Sequence, residues 1–130
     1  MKTSRKQKGF SLIELLIVIT IMGLLVSIVA PEMFGKVEQS KAKTAEAQMK
    51  VLGTALDAYR LDMGYYPEKI EELVQNNDPM WHGPYIKEIP QDPWRVAYVY
   101  TRQNPTQFEL KSYGADKKPG GEKESADIIY

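Results

Sequence analysis

The chain has 130 residues, and its 17 Lys and Arg side chains balance 17 Asp and Glu side chains. A neutral chain of this length is enough for one domain and lacks the positive charge typical of nucleic-acid-binding proteins. It has no cysteine and a single histidine, His82. A disulfide framework, a thiol nucleophile and a cluster of His and Cys metal ligands are therefore excluded.

Charged and apolar residues are distributed very unevenly along the chain. Residues 1–9 carry four cations and no acid, residues 10–30 are almost entirely apolar, and residues 31–130 hold 13 cations against 16 acids. As a helix, residues 10–30 rise about 31 Å, which matches the hydrocarbon core of a bilayer. The pattern predicts one membrane-spanning helix, with residues 1–9 in the cytoplasm and residues 31–130 outside it.

A cleaved secretory signal peptide is the alternative interpretation of this segment. Such peptides have an apolar region of about 7–15 residues that ends in a small-x-small cleavage site. Residues 10–30 form a longer region, and Pro31 follows it with only Ser27 and the pair Val29-Ala30 near such a site. The sequence therefore favours a membrane helix.

Glu14 is the one charged residue within the apolar segment. A carboxylate at the centre of a bilayer costs about 2.5–3.5 kcal/mol, and less near the interface. Because Glu14 is close to the start of the segment, its side chain can extend to the lipid headgroups. The alternative is that the carboxylate pairs with a cation on another chain.

The residues around Glu14 form a specific string, Lys8-Gly9-Phe10-Ser11-Leu12-Ile13-Glu14-Leu15-Leu16-Ile17-Val18-Ile19. It closely resembles the class III signal of type IV pilins and type II secretion pseudopilins, in which a basic leader ends in Gly and an apolar helix follows. The resemblance implies that a prepilin peptidase cleaves between Gly9 and Phe10 and that the new Phe10 amine is methylated. It also implies that Glu14 offsets the Phe10 amine of a neighbouring subunit during filament assembly.

Residues 31–63 predict an amphipathic continuation of the helix. Pro31 is expected to interrupt the helix, and Gly35 to loosen it locally. Beyond them, apolar residues recur at steps of three and four, which indicates one helix face that packs on a sheet rather than a cofactor site. These residues are Ala45, Met49, Leu52, Leu56, Tyr59 and Met63. Gly64 is the expected C-cap of the helix.

The remaining residues predict the short elements of an α+β domain. Residues 68–75 are expected to form a short helix, and residues 81–86 an aromatic loop that either covers the sheet or binds a partner, with the cover favoured. Residues 96–101 and 107–112 alternate like the strands of an antiparallel hairpin. No signature places an acid and a nucleophile beside His82, so catalysis is not expected.

Three further stretches, residues 41–46, 52–67 and 91–94, resemble the major pseudopilins of type II secretion more than adhesive type IV pilins. Major type IV pilins usually close a loop with a Cys pair, and this chain has no Cys. The pseudopilin family commonly has Gly-Asn after the Trp of the last stretch, where this chain has Arg95-Val96. The resemblance implies one long helix, with a membrane half and an amphipathic half, packed on a small antiparallel β-sheet.

The stretch from residue 112 to residue 128 resembles a loop that binds a calcium ion in the same family. The ligands that the resemblance implies are Asp116, Asp127, Ser125 and the carbonyl of Leu110, with Ser112 as a further candidate. Oxygen ligands suit Ca²⁺. However, the spacing does not match an EF-hand, and the composition alone is equally typical of a solvated polar loop.

Three lysines in this loop depart from the family pattern. Lys117, Lys118 and Lys123 stand where the family more often has Gly, Gln or another neutral residue. Their charges either weaken the binding of a cation or take its place. The residues alone do not decide between these two effects.

The resemblance implies a structural protein and not an enzyme: the major subunit of a type II secretion pseudopilus in a Gram-negative bacterium. Such a filament grows in the periplasm and drives folded proteins across the outer membrane. The implied partners are further copies of the chain in a helical homopolymer, minor pseudopilins, the inner-membrane assembly platform, the prepilin peptidase and, before assembly, membrane lipid. Nucleic acid is not an expected partner.

The organisation that follows has three parts. Residues 1–9 are a cytoplasmic leader that is cleaved, and residues 10–30 are a single-pass inner-membrane and assembly helix. Residues 31–130 form a periplasmic stalk helix and a globular domain. These boundaries combine the charge pattern with the resemblance.

Two alternative functions remain. The first is a type IV pilin for adhesion, motility or DNA uptake, which the absence of Cys and the loop after residue 112 disfavour. The second, from another class, is a signal-anchored periplasmic enzyme or a monomeric binding module. An enzyme needs convergent titratable groups, of which the sequence shows no signature, and neither protein needs a carboxylate at Glu14.

Overall fold

The computed structural model describes residues 8–121 and 126–130. The chain divides into two compact units, residues 1–36 and 37–130. Its helices and strands, in chain order, are helix α1 (Leu12–Met63), the single 3₁₀ turn η1 (Ile70–Leu73), and strands β1 (Val99–Asn104), β2 (Gln107–Ser112) and β3 (Ile128–Ile129).

The first unit presents an uncovered apolar helix surface. Every large apolar side chain from Phe10 to Phe34 is exposed, and the segment is long and apolar enough to cross a membrane. The hydroxyls of Thr20 and Ser27 donate to carbonyls of the same helix at 2.7 and 2.6 Å. Because these polar groups are paired within the helix, its surface suits lipid or another apolar helix.

Pro31 lies inside α1, and the helix continues beyond it to Met63. The expectation that Pro31 interrupts the helix is therefore wrong. Proline removes one N–H donor from the hydrogen-bond ladder. An apolar helix tolerates this loss where the neighbouring turns and local adjustments keep the remaining groups bonded.

The second unit is built on the apolar face of α1 that the sequence predicted. All six predicted residues are buried, from Ala45 to Met63, and none is more than 8% exposed. Residues from the following segments and strands complete this core: Tyr66, Ile70, Leu73, Trp94, Tyr98 and Leu110. Full burial of a large apolar side chain contributes about 1.5–3 kcal/mol, so this face is the main source of stability in the unit.

Helix α1 ends at the predicted glycine. Gly64 has a φ of 84° and donates its N–H to the Arg60 carbonyl at 2.7 Å. This left-handed conformation is favourable for Gly and turns the chain out of the helix. The predicted C-cap is confirmed.

The helix predicted over residues 68–75 is reduced to the single turn η1. At its start, the Glu72 carboxylate accepts a hydrogen bond from the Lys69 N–H at 3.2 Å. Beyond it, the Asn76 side-chain amide donates to the Tyr59 hydroxyl at 3.1 Å. The first hydrogen bond caps the start of the turn, and the second attaches the segment after the turn to the Tyr59 side chain of α1.

Among the described residues, the sheet has three antiparallel strands in the order β1-β2-β3. Strand β2 has the predicted bounds, whereas β1 begins at Val99 instead of Val96. The Val96 N–H donates instead to the Asp92 carboxylate at 2.8 Å, so Val96 belongs to the corner before the strand. Strand β3 was not predicted, because two residues show no alternating pattern.

The aromatic loop over residues 81–86 covers the core, as the sequence favoured. Trp81, Tyr85 and Ile86 are partly buried against it. The Trp81 indole N–H donates to the Glu72 carbonyl at 2.8 Å, and the Tyr85 hydroxyl donates to the Asp62 carboxylate at 2.6 Å. Each ring thus packs its apolar part while its polar end has a partner.

Replacing Leu56 with Ala is expected to lower the free energy of unfolding by about 2–5 kcal/mol, because a fully buried side chain leaves a cavity. Leu61→Ala is the matched control on the same helix, since Leu56 is 0% and Leu61 86% exposed. The control should change stability by no more than about 0.5 kcal/mol. Urea unfolding of the full chain in detergent, followed by tryptophan fluorescence, measures both. Equal effects would contradict this core.

Candidate functional site

Ser11 and Glu14 form the start of α1. The Glu14 N–H donates to the Ser11 hydroxyl oxygen at 3.3 Å, so Ser11 caps the helix. Glu14 is exposed and lies in the first helical turn, where the helix dipole favours a negative charge. The sequence analysis missed the role of Ser11, which the Ser-x-x-Glu spacing of a helix start could have revealed.

The predicted cleavage site, Gly9-Phe10, immediately precedes this cap. Phe10 is 81% exposed, and a Cβ atom built on Gly9 would meet nothing within 4 Å. The peptide bond between them is therefore open to an enzyme. Residues 1–7, with three of the four leader cations, lie outside the described residues.

The buried carboxylate of Asp92 joins the corner before β1 to the end of β2. Asp92 is 3% exposed. Its Oδ1 accepts from the backbone N–H groups of Trp94 and Val96 at 3.1 and 2.8 Å, and its Oδ2 accepts from the Ser112 hydroxyl at 2.8 Å. The sequence alone marks Asp92 only as part of the segment 91–94. Its Asp-Pro pair signals a turn, but no local pattern shows a partner 20 residues away.

Arg95 adopts a left-handed backbone conformation in this corner, with a φ of 64°. Its N–H donates to the Asp92 carbonyl at 2.9 Å, which closes the turn. Arg95 thus adopts a backbone conformation that Gly adopts without steric cost. The Gly-to-Arg departure noted in the sequence therefore falls on a residue with positive φ.

Two predicted calcium ligands, Leu110 and Ser112, are buried in β2 and already have hydrogen-bond partners. The Leu110 carbonyl accepts from the Tyr130 N–H at 2.9 Å, and its second lone pair remains. The Ser112 hydroxyl donates to Asp92 and accepts from the Gly114 N–H at 3.3 Å. Ser112 therefore holds the start of the following loop, and a role in ion binding would need rearrangement.

The other two described candidates, Asp116 and Asp127, each direct one carboxylate oxygen to the loop backbone. Asp116 Oδ1 accepts from the Lys118 N–H at 3.1 Å, and Asp127 Oδ2 accepts from the Gly120 N–H at 3.0 Å. The second oxygen of Asp127, Oδ1, is buried and has no hydrogen-bond partner among the described residues. A buried carboxylate oxygen without a partner is costly, so Asp127 fits a cation ligand.

Residues 113–127 are hereafter called the ion loop, and its described backbone up to residue 121 turns repeatedly. Lys117 has a φ of 59°, and the side chains of Lys117 and Lys118 are exposed. The predicted ligand Ser125 and the third lysine, Lys123, lie outside the described residues. In the described part of the chain, no three His, Cys, Asp or Glu residues are grouped to hold a metal. A calcium ion here would therefore have to be held by the two described carboxylates together with hydroxyl and carbonyl oxygens.

Several tyrosines in the core of the second unit have raised pKa values. Burial raises the pKa of Tyr59 to about 12, and it raises the pKa of Tyr98 and of Tyr100 as well. The Tyr98 hydroxyl donates to the Gln48 side chain, and the Tyr100 hydroxyl donates to a backbone carbonyl at 2.5 Å. These hydroxyls stay protonated at neutral pH and serve the packing of the core.

Comparison with known proteins assigns both parts of the chain. The family model described as type II secretion system (T2SS), protein G, matches residues 32–130, and the prokaryotic N-terminal methylation motif matches residues 4–30. The type II secretion system core protein G of Pseudomonas aeruginosa is 38% identical, over 95% of this chain and 94% of that protein. The protein of the same name from Vibrio cholerae is 38% identical, over 98% and 94% of the two chains.

A solved structure agrees with the fold. The crystal structure of the major pseudopilin from the type 2 secretion system of enterohaemorrhagic Escherichia coli has a TM-score of 0.61 and 27% sequence identity, covering 73% of this chain and 86% of that chain. The methylation motif, the apolar helix and the helix-on-sheet fold define a membrane-anchored, pilin-like subunit. The chain belongs to the type II secretion system protein G family. The resemblance and the α+β fold inferred from the sequence are confirmed.

Arg95→Gly is expected to raise the free energy of unfolding by about 0.5–1 kcal/mol, because Gly relieves the steric cost of a positive φ. Arg95→Ala is the control, since Ala lacks the long side chain but keeps the steric cost. Thermal unfolding of the full chain in detergent compares the two variants. A Gly variant no more stable than the Ala variant would show that this corner is not strained.

Proposed function

We propose that the chain is the major subunit of a type II secretion pseudopilus, which polymerises in the periplasm and drives folded proteins across the outer membrane. Family membership over nearly the whole chain carries this proposal. In this role residues 10–30 span the inner membrane, residues 1–9 face the cytoplasm and residues 31–130 face the periplasm, as the cations of the leader favour. Minor pseudopilins and the inner-membrane assembly platform are the proposed further partners.

The exposed apolar surface of the first unit supports assembly from the membrane. All large apolar side chains between Phe10 and Phe34 are uncovered, so they require lipid before assembly and neighbouring helices afterwards. When neighbouring helices replace lipid, the same surface stays away from water, so the hydrophobic effect alone does not drive assembly. A polar contact that exists only between subunits can then decide register.

Glu14 supplies that contact in our proposal. Cleavage after Gly9 leaves a cationic, methylated amine on Phe10, and the Glu14 carboxylate of a neighbour pairs with it. Opposite charges about 4 Å apart attract strongly in a low-dielectric environment, but desolvation cancels much of the gain. The pair therefore specifies the arrangement more than it stabilises it. Because Ser11 follows the cleavage site, its cap remains and keeps Glu14 in the first turn.

A second, uncharged stripe on α1, which we call the outer stripe, supports contacts between copies in the second unit. It repeats at steps of three and four on the helix face opposite the core. Its members are Val37, Ser40, Thr44, Ala47, Val51, Thr54, Ala58 and Leu61. Val51 and Leu61 are 58% and 86% exposed. All eight side chains are uncharged and five are Ala, Ser or Thr, which let another helix approach closely, so we assign the outer stripe to subunit packing.

The proposed role is structural and needs no catalytic residue. The one histidine, His82, is exposed, and its backbone N–H donates to the Tyr85 hydroxyl at 3.1 Å. Tyr85 in turn donates to Asp62 and closes the aromatic loop over the core. These contacts hold the aromatic loop in place on the core.

We further propose that the ion loop binds calcium. Asp127, whose Oδ1 is buried and unpartnered among the described residues, is the ligand with the strongest structural support. Asp116 and the Leu110 carbonyl would complete the described part of the ligand set, and Ser125 the part outside it. Calcium would supply a compact positive charge that satisfies several oxygens at once. The exposed ammonium groups of Lys117 and Lys118 can extend into solvent.

Glu14→Ala is expected to leave membrane insertion unchanged but to reduce pseudopilus formation and exoprotein secretion to background, because the intersubunit pair is lost. Glu32→Ala, an exposed acid on the same helix, is the control and should be active. The readouts are the membrane fraction, sheared filaments and secreted protein in cells with the chromosomal copy replaced. Normal assembly by Glu14→Ala contradicts the proposal. Loss of surface pili with secretion intact would favour the type IV pilin alternative.

Calcium is expected to stabilise the full chain in detergent, by about 2.7 kcal/mol at a hundredfold excess over its dissociation constant. Asp127→Asn should abolish this gain. Asp78→Asn is the control, since Asp78 also accepts a backbone hydrogen bond in a loop, from the Met80 N–H at 2.9 Å. Melting curves with calcium chloride or with a chelator measure the effect. The ion site is wrong if calcium leaves the wild-type curve unchanged.

A further inference from the structure

A mainly apolar groove lies beside the residues that follow η1. It has a volume of about 550 Å³, and residues between 69 and 77 and between 87 and 89 form its two walls. Val74 and Ile89, both partly buried, provide apolar surface on either side. The Tyr85 N–H donates to the Leu73 carbonyl at 2.9 Å, which links the two wall segments. The groove is therefore already formed, and binding to it requires little ordering.

Charged side chains surround this apolar surface. Three carboxylates, from Glu71, Glu72 and Glu88, stand against two ammonium groups, from Lys69 and Lys87. Among the described residues, none of these five groups forms an ion pair. The rim therefore carries an excess of negative charge, and the groove suits an apolar side chain that brings cations with it.

The outer stripe of α1 offers such a side chain on a second copy of the chain. Val51 is 58% exposed. Lys43 and Lys50 are exposed and seven residues apart, so they lie on the same side of the helix. Glu46 is the one acid between them, so cations predominate before Val51. Neither lysine forms an ion pair within the described part of the chain, which leaves both available to the acidic rim.

Two other exposed apolar side chains of the second unit, Leu61 and Met80, match the rim less well. Leu61 is 86% exposed, but its neighbours Arg60 and Asp62 have charges that cancel. Met80 is 60% exposed, and its N–H donates to the carboxylate of Asp78, an acid like those of the rim. Charge complementarity therefore selects the part of α1 around Val51.

We propose that Val51 of one copy occupies this groove on a second copy, where its Lys50 pairs with Glu88. Lys50 precedes Val51 and Glu88 precedes Ile89, so contact between the two apolar residues brings the two charges together. The groove and the outer stripe are different surfaces of one chain, so each copy engages two others and the contact repeats head to tail. The inference rests on the proposed polymerisation and names one contact within it.

The chain has no cysteine, so a pair of introduced thiols reports this contact directly. Val51→Cys combined with Ile89→Cys is oxidised with copper phenanthroline in membranes of cells whose chromosomal copy is replaced. The expected product is a ladder of dimers, trimers and higher multiples of the chain. Asn77→Cys, at an exposed position in the groove wall, replaces Ile89→Cys if that variant fails to fold. Val51→Cys with Thr101→Cys, at an exposed position of β1, is the control and should give no ladder.

Charge exchange in the same thiol background tests the pair between Lys50 and Glu88. Lys50→Glu alone or Glu88→Lys alone should reduce the ladder about 10-fold or more, because like charges then meet. The two reversals together should restore it, and Lys50→Arg, which keeps the charge, should leave it unchanged. A combined variant that remains as poor as the single reversals would overturn the pairing.

Filaments sheared from the same cells separate this contact from the proposed function. Wild-type filaments without a ladder from either thiol pair would overturn the docking of Val51 and leave the pseudopilus intact. A ladder without wild-type filaments would support the contact and overturn the pseudopilus, and the absence of both would overturn both. A crosslinked product that is not a multiple of the mass of the chain would overturn a second copy as the occupant.

Discussion

The burial of one face of helix α1 is the interaction on which the globular unit depends. Ala45, Leu52 and Leu56 are fully buried on it, and the loops, η1 and β2 all contribute side chains to the same core. The sheet itself is small, with a third strand of only two residues, and a sheet of this size has little stability without a packing partner. The helix face thus provides the platform on which the Asp92 corner, the aromatic loop and the ion loop are arranged.

The first unit, in contrast, has an apolar surface that no other described part of its own unit buries. Its large apolar side chains are exposed from Phe10 to Phe34, and only lipid or similar helices can accept such a surface. A subunit that moves from a membrane into a filament needs a surface that either lipid or neighbouring helices can cover. The chain therefore separates a buried core from an uncovered apolar surface, and in our proposal the Glu14 carboxylate provides the polar specificity at the start of that surface.

Periodic patterns predicted the fold well where many residues share one face. The buried stripe of α1, its end at Gly64 and the bounds of β2 all followed from local spacing. Features set by distant partners were missed. The Asp92 carboxylate binds Ser112 and also the Val96 N–H, so β1 begins at Val99, and Tyr130 reaches Gly53. The effect of Pro31 was predicted wrongly, because the expectation that proline ends a helix considers one lost hydrogen bond and not the many that remain in a long helix. The candidate calcium ligands came from the family resemblance. Only the hydrogen bonds in the structure show that Asp127 has an unpartnered oxygen among the described residues whereas Ser112 is already bonded.

In our proposal this chain is processed and then assembled as a pseudopilin. The most direct test is the intact mass and the first residue of the protein purified from its native membrane. Processing as a pseudopilin predicts a chain that begins with N-methylated Phe10, which requires cleavage after Gly9. A chain that retains Met1 although prepilin peptidase is present would contradict it, because the Phe10 amine that Glu14 is proposed to pair with would not exist.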